Sequence, residues 1–148
     1  MHTATISYYA ENISFRLKNK KILSDWIKNI ILLEKRKLQS VSFIFCNDEY
    51  LLKLNQTYLK HKTLTDIITF DYNDGNIISG DIFISIERVK ENAKVYSNSF
   101  SNELHRVMIH GIIHLLGYKD KKTPERLAMR AKEDVCLSML GKVVSRET

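Results

Sequence analysis

The segment His110-Gly111-Ile112-Ile113-His114-Leu115-Leu116-Gly117-Tyr118-Lys119-Asp120 limits what this chain can fold into more than any other stretch. Leu104, Val107, Met108, Ile109, Ile112, Ile113, Leu115 and Leu116 make the helix it belongs to apolar on nearly every side. Such a helix is buried rather than laid on a surface, so its polar residues need partners. His110 and His114 stand one helical turn apart and project from one face. Gly117 suits a left-handed helix end, and Asp120 follows three residues later. That spacing lets a helix supply two imidazoles, turn sharply, and return a carboxylate to the same ion. Three protein ligands with an open fourth position are the catalytic form of a zinc site. The expected ligands are therefore His110, His114 and Asp120, around one Zn2+ per chain.

Zinc proteases with this spacing place a glutamate directly after the first histidine, as the base that activates the metal-bound water. Here that position is Gly111, which disfavours peptide hydrolysis by the usual route. A glycine inside a helix costs about 1 kcal/mol relative to alanine, so Gly111 predicts another backbone packed close against it. His105 falls on a different face and reads as an ordinary polar residue; His2 and His61 have no partner in the sequence, though His61 lies in a basic loop.

The 148 residues predict one domain spanning 1–148, with no repeat or Pro/Gly/Ser-rich linker to divide it. No apolar run is long enough for a membrane span, and no signal-peptide pattern is visible. Cys46 and Cys136 lack metal-type spacing, and they read as reduced thiols of a cytoplasmic protein. The net charge of +6 suits a polyanionic partner. Basic residues cluster between Lys18 and Lys37, which reads as a solvated surface, and at Lys119, Lys121 and Lys122 around Asp120.

Periodicity predicts a mixed order of elements. Strands are expected at 6–10, 41–46, 67–72 and 81–86, with a hairpin-like turn through Asn73, Asp74, Gly75, Asn76 and Gly80. Helices are expected at 22–33, 49–59, 86–96, 102–116 and 124–140. Asn47 and Asp48 can cap the second of these, and Thr123 before Pro124 fits an N-cap for the last.

The stretch from His110 to Tyr118 resembles the signature of the YbeY family of bacterial endoribonucleases. Upstream, Leu54-Asn55-x-x-Tyr58, then Leu64 to Phe70 (LTDIITF), Gly80-Asp81-Ile82 and Glu103-Leu104 match in order. The resemblance implies an α+β fold, a mixed four-stranded sheet packed with about five helices. It also implies a zinc-dependent endoribonuclease acting on single-stranded RNA. Ribosomal RNA and the small ribosomal subunit are the implied partners, in maturation of the 16S rRNA 3′ end and in ribosome quality control. No DNA or membrane partner is expected, and oligomeric state stays open. The family's metal ligands are three histidines; two carry over onto His110 and His114.

Three positions depart from the family pattern. Asp120 stands where the third histidine is usual, and a carboxylate is an accepted zinc ligand, though a harder one that shifts preference toward manganese or magnesium. Leu59 stands where an arginine is usual, and nearby lysines cannot form its bidentate phosphate clamp. Leu64 replaces a proline. Lys60, Lys119 and Lys121 are the expected phosphate contacts, and Tyr58, Tyr72 or Tyr118 could stack unpaired bases. No general base is assigned, although Asp66, Asp81 and Glu103 are available. Two alternatives remain: a non-catalytic metal-binding ribosome assembly factor, and a zinc hydrolase of peptides or small molecules.

Overall fold

The structure is a computed structural model that describes residues 4–59 and 65–147, with side chains described as far as 142. Its elements run β1 (Thr5–Ala10), α1 (Lys20–Leu33), β2 (Lys37–Cys46), α2 (Asp48–Leu54), a π-helical turn (Asn55–Leu59), β3 (Ile67–Asp71), β4 (Ile77–Ser85), α3 (Ile86–Val95), α4 (Phe100–Leu115) and α5 (Thr123–Glu147). The four strands form one mixed sheet in the order β1-β2-β4-β3. β1 and β4 pair parallel to β2, and β3 pairs antiparallel to β4. The α+β fold, the four-stranded mixed sheet and the five helices expected from the sequence are what the chain adopts.

Strand alternation sorts the side chains between two faces. Val41, Phe43 and Phe45 of β2, with Ile78, Ile82 and Ile84 of β4, enter the main core beneath α1 and α4. On the other face Cys46 and Ile68 meet Leu51 of α2. α5 closes the main core with Met129, Cys136 and Leu140. Trp26 of α1 is buried there, and its indole N–H donates to the Cys136 carbonyl at 2.8 Å.

Boundaries differ from expectation where pairing overrides pattern. β2 begins at Lys37, earlier than its apolar run, because Lys37 and Leu38 pair with Ile77 and Ile78. β4 accordingly includes Gly80, expected in the turn. A Cβ there would lie 2.6 Å from the Phe70 carbonyl oxygen and 2.9 Å from Leu115 Cδ2, so only glycine lets β3 and α4 approach this closely. Asn47 caps α2 as expected, accepting from the Tyr50 N–H at 2.9 Å. Thr123 does not cap α5: the helix begins at Thr123, and Glu125 instead accepts from the Lys122 N–H at 2.8 Å. Among the described residues no helix is long and apolar enough to cross a membrane.

Candidate metal centre

α4 begins at Phe100 because Ser99 caps it, its hydroxyl accepting from the Asn102 N–H at 3.1 Å. The helix lies on β3 and β4, with Met108, Ile109, Ile112 and Ile113 fully buried. Gly111 is where it touches the sheet. An added Cβ would stand 2.9 Å from Ile82 Cγ2 and 3.0 Å from Ile67 Cδ1. The close neighbours are therefore two isoleucine side chains, not the second backbone that the sequence suggested.

The end of α4 is closed tightly. Gly117, at φ 104°, donates to the His114 carbonyl at 2.9 Å, and Tyr118 N–H reaches the Ile113 carbonyl at 3.3 Å. This is the Schellman arrangement, in which a left-handed glycine reverses the chain. Helix ends also leave carbonyls unpaired. Asn73 Nδ2 donates to Leu115 O at 2.7 Å and Arg36 Nη1 to Leu116 O at 3.1 Å. Arg36, grouped by sequence with a solvated basic surface, is thus a structural clamp, and it holds the Gly75 and Asn76 carbonyls as well.

The reversal brings Asp120 back over the helix. Its Oδ2 lies 3.1 Å from His114 Nε2 and 3.3 Å from His110 Nε2. The two imidazoles stand edge to face, with centroids 4.7 Å apart at 79°. Ligand atoms of all three residues fall within 4.8 Å of one another, so the group could hold a metal ion. All three are half-buried and line a cleft of about 730 Å³, whose far wall is β3 and the π-helical turn. Asn55 and Leu59 reach the cleft from that turn; π-helical turns often occur at functional sites.

Behind His110 stands a residue that the sequence reading missed. Glu133 of α5 is 4% exposed; its Oε2 accepts from His110 Nδ1 at 2.7 Å, and its Oε1 accepts from Arg106 Nη1, also at 2.7 Å. Arg106 donates in turn to Asp134 at 2.6 Å. Burial alone would raise the Glu133 carboxyl, but the bonds and charges of His110 and Arg106 outweigh it and hold the group below the ordinary range. Burial likewise disfavours a charged His110, yet Glu133, then Asp120 and Asp66, outweigh that and raise its pKa. With a carboxylate accepting at Nδ1, the neutral ring keeps its Nε2 lone pair facing Asp120. A carboxylate behind a histidine commonly fixes tautomer and orientation in this way. One signal could have found Glu133: it interrupts the buried stripe Met129, Cys136, Leu140 at helical spacing.

The remaining expected residues are placed as follows. Lys121 lines the cleft beside the three clustered side chains, whereas Lys119 is exposed outside its described lining. Lys60, His61, Lys62 and Leu64 lie outside the described residues, as does His2. Of the three available carboxylates only Asp66 lines the cleft, its pKa raised by burial. Asp81 accepts from the Tyr72 hydroxyl at 3.2 Å, and Glu103 is buried beside Asn98. Tyr58 is exposed and meets Phe70 edge-on. Tyr118 donates to Glu34 at 2.7 Å with Lys132 over its ring, so it is committed to packing. His105 lies against Trp26, away from the cleft. Cys46 and Cys136 are free and buried as expected, and burial pushes the Cys46 thiol up to about 12.

A family profile described as endoribonuclease YbeY matches residues 6–141. This chain belongs to the YbeY family. Relatives named endoribonuclease YbeY include one from Flavobacterium johnsoniae, 51% identical over 84% of this chain and 90% of its own length. Another, from Amoebophilus asiaticus, is 51% identical over 91% of this chain and 92% of its own. A third, from Cytophaga hutchinsonii, is 46% identical over 94% and 98%. A solution structure of a Thermotoga maritima protein superposes with a TM-score of 0.67 at 28% identity, covering 96% of this chain and 93% of that one. Leu59 gives the cleft a hydrocarbon wall and Asp120 gives the cluster a carboxylate.

Proposed function

We propose that this protein is a zinc-dependent, single-strand-specific endoribonuclease. It works in the cytoplasm on ribosomal RNA and the small ribosomal subunit, including 16S rRNA 3′-end maturation and ribosome quality control, with residues 1–148 as one catalytic domain. One observation carries this reading: His110, His114 and Asp120 converge at the wall of an open cleft in a chain of the YbeY family.

The donor set fits zinc. Ligands bound at ~2.0–2.1 Å in a tetrahedron stand ~3.3–3.4 Å from one another; the observed Nε2 to Oδ2 separations are 3.3 and 3.1 Å. When bound, Zn2+ supplies a Lewis acid for a phosphoryl oxygen and acidifies a water. The residues do the rest. Glu133 holds the His110 ring in the orientation that leaves Nε2 free for a ligand bond. Lys121 places positive charge at the cleft mouth, where phosphate contacts set the register of a strand. Asp66 is the candidate carboxylate positioned beside His110 to take or give a proton at the cleft wall. Gly111 offers no base at the protease position.

Elemental analysis paired with cleavage of single-stranded RNA tests the proposal on wild type, His114→Ala and Asp120→Ala. Wild type should carry about one zinc and cut, and both variants should lose metal and activity. Metal-free wild type, with cleavage unchanged in both variants, would overturn the site. Zinc-loaded protein that binds small subunits but cuts no RNA would make it a non-catalytic assembly factor.

A further inference from the structure

The cleft described above is one of two that meet at His110. A second lobe of about 450 Å³ opens on the opposite side, between the C-terminal end of α3 and the first turns of α5. Asp66, His110 and Asp120 line both lobes, so two of the three candidate ligands stand at the junction, with His114 beside them in the first lobe. A phosphodiester has a nucleotide on each side. A strand whose scissile phosphate sits at this junction must send one flank into each lobe.

The lobes differ in the cations they offer. Among the described residues, the first brings Asp66, Asp71 and Asp120 against Lys121 alone. The second shares Asp66 and Asp120 and adds Glu103 and Glu133, but sets three guanidinium groups against them, Arg106, Arg126 and Arg130. Arg106 is already committed, paired with Glu133 and Asp134 at 2.7 and 2.6 Å, so it positions Glu133. Arg126 uses two donors on the Lys121 carbonyl and the Thr123 hydroxyl, and a guanidinium has five. Arg130 is exposed, one turn further along the helix, and has no hydrogen-bond or ion-pair partner among the described residues. Facing them across the lobe is Tyr96, the residue that ends α3, with 69% of its surface exposed. An exposed aromatic facing guanidinium groups that keep free donors is how proteins hold an unpaired nucleotide, base on ring and phosphate on arginine. The lobe's volume is within the range of small-ligand pockets, roughly 300–1,000 Å³.

We propose that this α3–α5 lobe seats the nucleotide on one side of the scissile phosphate, with Arg126 and Arg130 on its phosphate and Tyr96 stacked on its base. The assignment rests on the endoribonuclease reading. It adds phosphate-holding groups on the α5 side of the candidate ligand cluster, beyond the lobe that carries Leu59 and Lys121.

The test measures binding of zinc-loaded protein to a short phosphorothioate oligouridylate across a salt series, alongside cleavage of the ordinary strand and zinc content. Arg126→Ala and Arg130→Ala should each flatten the salt dependence, by about 0.7 in log–log slope for each phosphate left without its arginine. Tyr96→Ala should weaken binding by roughly 5- to 150-fold, and Tyr96→Phe should restore it. Lys28→Ala removes one charge from α1 outside both lobes and should leave the slope at the wild-type value. Zinc content should stay unchanged in every variant, separating this effect from damage to the ligands. If wild type binds and cuts while the Arg126→Ala/Arg130→Ala double variant keeps the wild-type slope, or Tyr96→Ala keeps full affinity, the lobe assignment is overturned and the endoribonuclease reading stands. If zinc-loaded wild type neither binds nor cuts the strand, both fall together.

Discussion

His110 and His114 are equivalent in the sequence, one turn apart on the same face of one helix, yet the fold treats them differently. His110 is held from behind by Glu133, itself locked by Arg106 and, through that arginine, Asp134. His114 Nε2 meets Asp120, and among the described residues its Nδ1 has no partner. One imidazole is oriented before any ion arrives; the other is set only by its own helix and by the loop that carries Asp120. The cluster combines one fixed candidate ligand with two adjustable ones, and a helix remote in sequence makes the difference.

Removing either ring tests what the two share. His110→Ala and His114→Ala should both abolish stoichiometric zinc and lower cleavage by more than roughly a hundredfold, since the loss of a ligand should exceed the 10–100-fold typical of a supporting partner. A large difference between the two by elemental analysis would show that one of them is not a ligand. Glu133→Gln tests what they do not share. It keeps the shape but loses the charge behind His110, and competition with a chelator should register a 10–100-fold fall in zinc affinity. An unchanged affinity would mean that the two rings are equally preorganised.

Gly111 lies between them against the sheet, so Gly111→Ala probes the platform that both share. The new methyl meets Ile82 and Ile67 at about 3 Å. Overpacking of that kind costs about 1–3 kcal/mol, readable by urea denaturation. The smallest effect concerns a third histidine of α4. Burial holds the His105 pKa below its usual 6.5, so the unfolded chain binds more protons in the window below that value. Stability from this group is complete above pH 6.5 and declines as the pH falls toward the folded pKa. His105→Gln should flatten that part of the stability profile; an unaltered slope would place the cause elsewhere.

What could be read from sequence alone follows from the range of the interactions. The two histidines, the glycine reversal and Asp120 lie within one local segment, where helical period and turn chemistry suffice. The individual strands and five helices likewise follow from periodicity, whereas their mixed sheet is what the family resemblance implies. Glu133 is on another helix, 23 residues from its histidine, and only tertiary packing brings them together. Gly80 reads as a turn residue because a strand glycine is intelligible only once Phe70 and Leu115 are seen beside it. Arg36 reads as surface charge because its acceptors are carbonyls from a distant turn and helix end.

The chain's one tryptophan gives this arrangement an optical readout. Trp26 belongs to α1, but its indole N–H is bonded to a carbonyl of α5, the helix that carries Glu133, Arg126 and Arg130. Undocking α5 would expose the indole to water and shift its emission to longer wavelength. The intrinsic fluorescence of this protein is therefore a gauge of whether the support behind His110 is assembled, readable without a label and before any RNA is added.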